Sequence, residues 1–158
     1  MGECLLPCCL YRATFLFRGI GSCGTVYRGR LGPPSSVLSE DTRLSSCWAM
    51  KGNSGLVTIR LTADIAVHGV SIEHTSRHVA LDMSSAPRQF EVYGLRDADD
   101  SHPVTLGVGE YIKEGKAVQF FEFEPVGRKY PMVTFNIRSN WGNSDYTCIY
   151  RLRVHGEE

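Results

Sequence analysis

The chain has no net charge, since 17 Lys and Arg residues balance 17 Asp and Glu over 158 residues. That leaves no broad basic surface of the kind nucleic-acid binding needs. The balance is uneven: Arg12, Arg18, Arg28 and Arg30 against Glu3 give residues 1–31 a charge of +3 and the remainder −3. No apolar run approaches the roughly 18–20 residues that cross a bilayer as a helix. A cleaved leader is not expected either, because Met1–Leu10 lacks a basic segment and Pro7 cuts its apolar run. Gly2 would suit N-myristoylation, but Leu6 stands where that signal takes Ser or Thr. Cys4, Cys8, Cys9 and Cys23 lack the paired C-x-x-C spacing of a zinc site.

A further absence disposes of the one motif in the front. Gly19–Val26 fits the G-x-G-x-x-G-x-V phosphate loop of protein kinases, and Ala49-Met50-Lys51 has the look of the kinase lysine strand. Neither the H-R-D catalytic loop nor the D-F-G metal site occurs in the 107 residues after Lys51. An isolated glycine motif does not make a kinase, and the chain is not expected to be an enzyme.

What is present describes one globular domain: 42% apolar and 22% charged residues, with seven tyrosines and seven phenylalanines. Residues 1–32 hold neither period 2 nor period 3.6, and Leu31-Gly32-Pro33-Pro34-Ser35-Ser36 reads as a linker or turn. From residue 33 to 158 the texture changes to short alternating runs. Strands are predicted over Cys47–Met50, Leu56–Leu61, Gly69–His74, Gln89–Tyr93, Val104–Val108, Ala117–Phe123, Met132–Ile137 and Tyr146–Val154, with turn residues between them. No stretch of this body sustains helical period. The pattern predicts an all-β fold, an antiparallel β-sandwich or jelly roll. Phe120, Phe135, Trp48 and the Val and Ile positions should form the core between its sheets, and function should sit on the loops at its ends.

The most informative stretch is Asn140–Gly156, where Trp141 lies between turn residues and Tyr146, Cys148, Tyr150 and Leu152 alternate along one face. Such a face can be core, pocket or staple. Taken with Cys47-Trp48-Ala49, the His74 strand and Ser84-Ser85-Ala86-Pro87, it resembles the SUN domain of nuclear-envelope bridging proteins, over about residues 33–158. The resemblance implies a non-enzymatic sandwich in the perinuclear space that trimerises, grips the C-terminal tail of a KASH protein and so couples the nucleus to the cytoskeleton. It implies a disulfide between Cys47 and Cys148, which an oxidising lumen permits; these residues stand 101 apart, and closing such a loop contributes about 4.7 kcal/mol in the chain-entropy account.

It also implies a loop, Ser35–Ser46, that wraps a monovalent cation, potassium in the family, with carbonyl oxygens of Ser36, Ser39, Asp41, Ser46 and Tyr150. His74, Ser85, Tyr146 and Tyr150 match the tail pocket, where donors would meet a carboxylate that is costly to bury alone. The front departs from the family pattern: coiled coil, transmembrane helix and hairpin lid are not recognisable in residues 1–31, so binding and trimerisation should be weakened. Neither Cys9 nor Cys23 lies in sequence resembling the lid. The competing expectation is a discoidin-like carbohydrate- or lipid-binding sandwich, for which Asp97, Asp99 and Asp100 are the only candidates for a calcium-type carboxylate cluster.

Overall fold

The computed structural model describes residues 34–44, 46–80 and 82–158. The glycine-rich motif at Gly19–Val26 and Cys4, Cys8, Cys9 and Cys23 lie outside the described residues. A short 3-10 turn, Pro34–Leu38, leads into eight strands: β1 (Trp48–Lys51), β2 (Gly55–Glu73), β3 (Gln89–Leu95), β4 (Val104–Glu110), β5 (Val118–Glu122), β6 (Tyr130–Ile137), β7 (Tyr146–Ile149) and β8 (Arg151–Glu157). Every strand pairing is antiparallel. Among the described residues no helix is long and apolar enough to cross a membrane. The fold is the expected all-β sandwich.

Its spine is β2. Two strands are expected here, Leu56–Leu61 and Gly69–His74, with an interruption between them, yet the chain stays extended for 19 residues. The interruption is absorbed as a register shift between Arg60 and Ile65, where a bulge bends a strand without ending it. On the near side of that bend β2 pairs with β6, which passes the ladder on to β3 and β4. On the far side it runs between β5 and β8, so residues 69–73 are bonded on both edges.

One buried cluster joins the two halves, containing Val57, Ile59, Val70, Ile72, Phe90, Phe135 and Leu152 among others. Trp48 packs on its margin, partly buried. Phe120 is not part of the core; it is 53% exposed. Adjacent strand residues face opposite ways, so of the pair Phe120-Phe121 only one can point inward, and it is Phe121 that packs against Phe90 at 4.8 Å between ring centroids. Phe120 lies instead on the outer face over Gly69, where a Cβ would come within 2.6 Å of its ring and 2.7 Å of the Phe121 carbonyl. Glycine at 69 is therefore what lets that ring lie flat on the sheet.

The expected single strand Tyr146–Val154 is two. β7 pairs with β1, and after Tyr150 the chain changes partner, so that β8 pairs with β2. Tyr150 thus occupies a corner rather than a position along a ladder.

Candidate functional site

The residues expected to form a pocket converge on that corner. His74 follows the last residue of β2 and is 3% exposed. Its ring meets the Tyr150 ring edge-on, with centroids 4.7 Å apart. Tyr146 packs with Cys47, Cys148 and Tyr150 in a second small cluster. Ser85 arrives from the connection between β2 and β3, and its carbonyl accepts the Cys148 N–H at 2.8 Å. Cys47 and Cys148 are disulfide-bonded, with Cα atoms 5.6 Å apart. They sit diagonally across the β1–β7 pair, since Cys148 is registered opposite Ala49.

His74 is chemically the most informative member. Its Nδ1 lies 3.2 Å from the Thr75 carbonyl, and because a carbonyl only accepts, Nδ1 carries the proton. Nε2 is buried and finds no hydrogen-bond partner among the described residues. Burial disfavours the charged ring and brings its pKa down to about 4, against the smaller upward pull of the Thr75 bond. At neutral pH the ring is therefore uncharged, with a lone pair at Nε2. A buried polar atom without a partner costs about 1–3 kcal/mol. Tyr150 is also partly committed, since its hydroxyl donates to the Leu44 carbonyl at 3.3 Å. Burial raises its pKa.

That bond ties the pocket to the loop expected to hold a cation. Within the loop, Ser39 N–H donates to the Ser36 carbonyl at 2.9 Å, and the Ser39 hydroxyl accepts from Asp41 N–H at 3.1 Å. The Ser46 hydroxyl lies 2.7 Å from the Asp41 carbonyl and 2.6 Å from that of Arg43. The Asp41 carboxylate is bound by the Arg43 guanidinium at 2.7 Å, which with the Arg43 N–H lowers its pKa to about 2. The Ser36 and Asp41 carbonyls, two of the oxygens expected to hold the cation, each accept a hydrogen bond within the loop.

The aspartates of the alternative site are otherwise engaged. Asp100 is held by Arg96 at 2.9 Å and by the Arg96 and His102 N–H groups, and Asp97 caps the Asp99 N–H. Among the described residues no group of three or more His, Cys, Asp or Glu is arranged to hold a metal ion.

Sequence reasoning missed the residues that brace the corner. Asn140 is buried and donates from Nδ2 to the Asn143 and Tyr146 carbonyls and to the Thr147 hydroxyl, at 2.7, 3.2 and 3.0 Å, while its Oδ1 accepts from Gly142 N–H. Thr147 in turn donates to the Gly52 carbonyl at 2.8 Å. Trp141 donates from Nε1 to the Tyr111 carbonyl at 2.9 Å and has Arg88 and Lys113 near its ring, 4.5 and 5.0 Å from the centroid. The turn-forming Asn140-Trp141-Gly142 was a visible signal for the first of these. Nothing in the local pattern marked Tyr111.

The sequence profile of the Sad1 / UNC-like C-terminal family matches residues 29–158. The chain belongs to this SUN-domain family. The SUN domain here is 40% identical over 127 residues to human SUN domain-containing protein 3, covering 78% of this chain and 36% of that one. Mouse sperm-associated antigen 4 protein is 39% identical, with 78% of this chain and 28% of that one covered. For human SUN domain-containing protein 1 the identity is 36%, over 78% of this chain and 16% of that one. The chain thus spans well under half the length of each of these relatives.

Among solved structures, the family 32 carbohydrate-binding module of Streptococcus pneumoniae EndoD superposes with a TM-score of 0.69 at 18% identity, over 92% of this chain and 97% of that one. The paired family 32 modules of Clostridium perfringens ZmpB give a TM-score of 0.67 at 12% identity, over 96% and 36%. At these identities the likeness is one of fold alone.

Proposed function

We propose that this SUN domain is a non-enzymatic capture module for the free C-terminal tail of a KASH protein, acting in the perinuclear space to link the nucleus to the cytoskeleton. The observation that carries the proposal is the buried, unpartnered Nε2 of His74, whose ring lies edge-on to that of Tyr150; Tyr146 packs with Tyr150 and Cys148, and the Ser85 carbonyl accepts the Cys148 N–H. The hydroxyls of Ser85 and Tyr146 supply donors suited to a terminal carboxylate. The lone pair of His74 suits an N–H or O–H of the same tail. Family membership supports the role, because a pocket that takes a chain end is what the resemblance of these four residues implies. Homotrimeric assembly is part of the same reading.

Ser36, Ser39, Asp41 and Ser46, with the Tyr150 carbonyl, would hold a structural potassium ion through backbone oxygens. That ion would supply rigidity and not chemistry, by keeping the loop that receives the Tyr150 hydroxyl in one shape. KASH tails end in a proline-rich run and a free carboxylate by the same family resemblance, so the test is calorimetric titration of the chain with a synthetic peptide of that ending. Binding is expected, with loss on adding one residue to the peptide's end and weaker but measurable affinity on His74→Ala. Equal binding of free-ended and extended peptides would overturn the proposal.

A further inference from the structure

We infer that Tyr111 is a positioning residue for the tail pocket, joining the His74 wall to the Ser85 wall; the inference rests on the tail-capture reading for its function but not for its geometry. Tyr111 follows β4, is 1% exposed, and places its ring 6.2 Å from that of His74 between centroids. Its hydroxyl donates to the Ala117 carbonyl at 2.9 Å. The same carbonyl accepts the main-chain N–H of His74, also at 2.9 Å. One oxygen therefore fixes both the end of β2 and the Tyr111 phenol.

The main chain of Tyr111 reaches the opposite wall. Its N–H donates to the Arg88 carbonyl at 2.8 Å, and its carbonyl accepts from Trp141 Nε1, whose own N–H donates to the Ala86 carbonyl beside Ser85. The turn after Tyr111 does not depend on the phenol for closure. Gln119 closes it, donating to the Ile112 and Lys116 carbonyls at 2.7 and 2.9 Å and accepting from Ile112 N–H at 3.0 Å. The Tyr111–Ala117 bond is thus additional to the turn and sets the turn's place relative to His74. A buried phenol needs an acceptor, and this one has taken the acceptor that also holds His74.

Tyr111→Phe keeps the ring and removes the hydroxyl, with its 2.9 Å bond to the Ala117 carbonyl and its longer 3.4 Å contact to the Lys116 carbonyl. In the full chain it is expected to weaken binding of the proline-run, free-carboxylate peptide roughly 3- to 10-fold, the range of one buried hydrogen bond. On a His74→Asn background the same substitution should cost nothing further, because it acts through His74. Equal losses in both backgrounds, or none in either, would overturn the inference. In the unliganded chain Tyr111→Phe should move the His74 ring-proton resonances, and so should Trp141→Phe, which removes the donor to the Tyr111 carbonyl. If neither moves them the inference is wrong. A native chain that binds no peptide rejects tail capture, while the resonances still decide the role of Tyr111.

Discussion

The two walls of the corner are held by different means. On the Cys47 side the loop at residues 36–46 is attached by a disulfide, by Val37, which is fully buried in the main core with Leu38 packed beside it, by one hydroxyl bond from Tyr150 to Leu44, and by a 3.3 Å contact between Arg151 and the exposed Glu40. Exposed ion pairs contribute little, so the covalent bond and the burial of Val37 carry most of the attachment. On the Ser85 side the attachment is a ladder of main-chain bonds: Arg88 N–H to Ser139, Trp141 N–H to Ala86, Asn143 N–H to Ser84 and Cys148 N–H to Ser85, with Asn140 at its centre. One wall depends on a covalent tie and one buried anchor, and the other on many weak bonds that support each other. The first should loosen sharply under reducing conditions. The second should fail only when its centre is removed.

Breaking the covalent tie should have the largest effect. Cys47→Ser with Cys148→Ser is expected to cost roughly 3–5 kcal/mol, from the size of the loop released, read as a fall in Tm. Amide exchange should speed up first in residues 36–46 and leave residues 84–88 protected. The opposite order would erase the distinction between the walls. Asn140→Ala comes next, at roughly 2–3 kcal/mol, because three acceptors lose their donor inside the fold. Here exchange should rise across residues 84–88 and 139–147.

Acid acts on His74, which both walls touch. The unfolded ring takes up a proton near its ordinary value of 6.5, while the folded ring resists until about 4. Stability is therefore full above about pH 6.5 and declines as pH falls through that window, by roughly 2 kcal/mol between pH 7 and 5. A His74→Asn chain should show a flatter pH profile of Tm over this range. The smallest effect is expected from Tyr150→Phe, about 0.5–1 kcal/mol for one partly exposed bond. It should loosen the loop at residues 36–46 without touching the Ser85 ladder.

Much of this could be read from the residues. Alternation is a local property, so the strands and the all-β class were legible. The corner was legible because His74, Ser85, Tyr146 and Tyr150 sit in motifs that resemble a known pocket. What was hidden depended on the partner rather than on the strand. Tyr146–Val154 alternates without a break, and only the exchange of β1 for β2 as neighbour makes Tyr150 a corner. Phe120 was expected inside and Phe121 takes that place, since parity is set by the register with β2. Tyr111 and Asn140 act through main-chain groups from distant segments, which leave no side-chain pattern at either end.

The length of β2 has a mechanical consequence. A load applied to anything held against His74 enters the fold at one end of a strand whose residues 69–73 are bonded to β5 on one edge and to β8 on the other. Pulled along its own axis, that segment strains its cross-strand bonds side by side rather than one after another. Slippage requires many of them to break together, whereas a pull across the strand would open them in sequence. His74 thus lies at the end of a segment arranged to resist a pull along the strand.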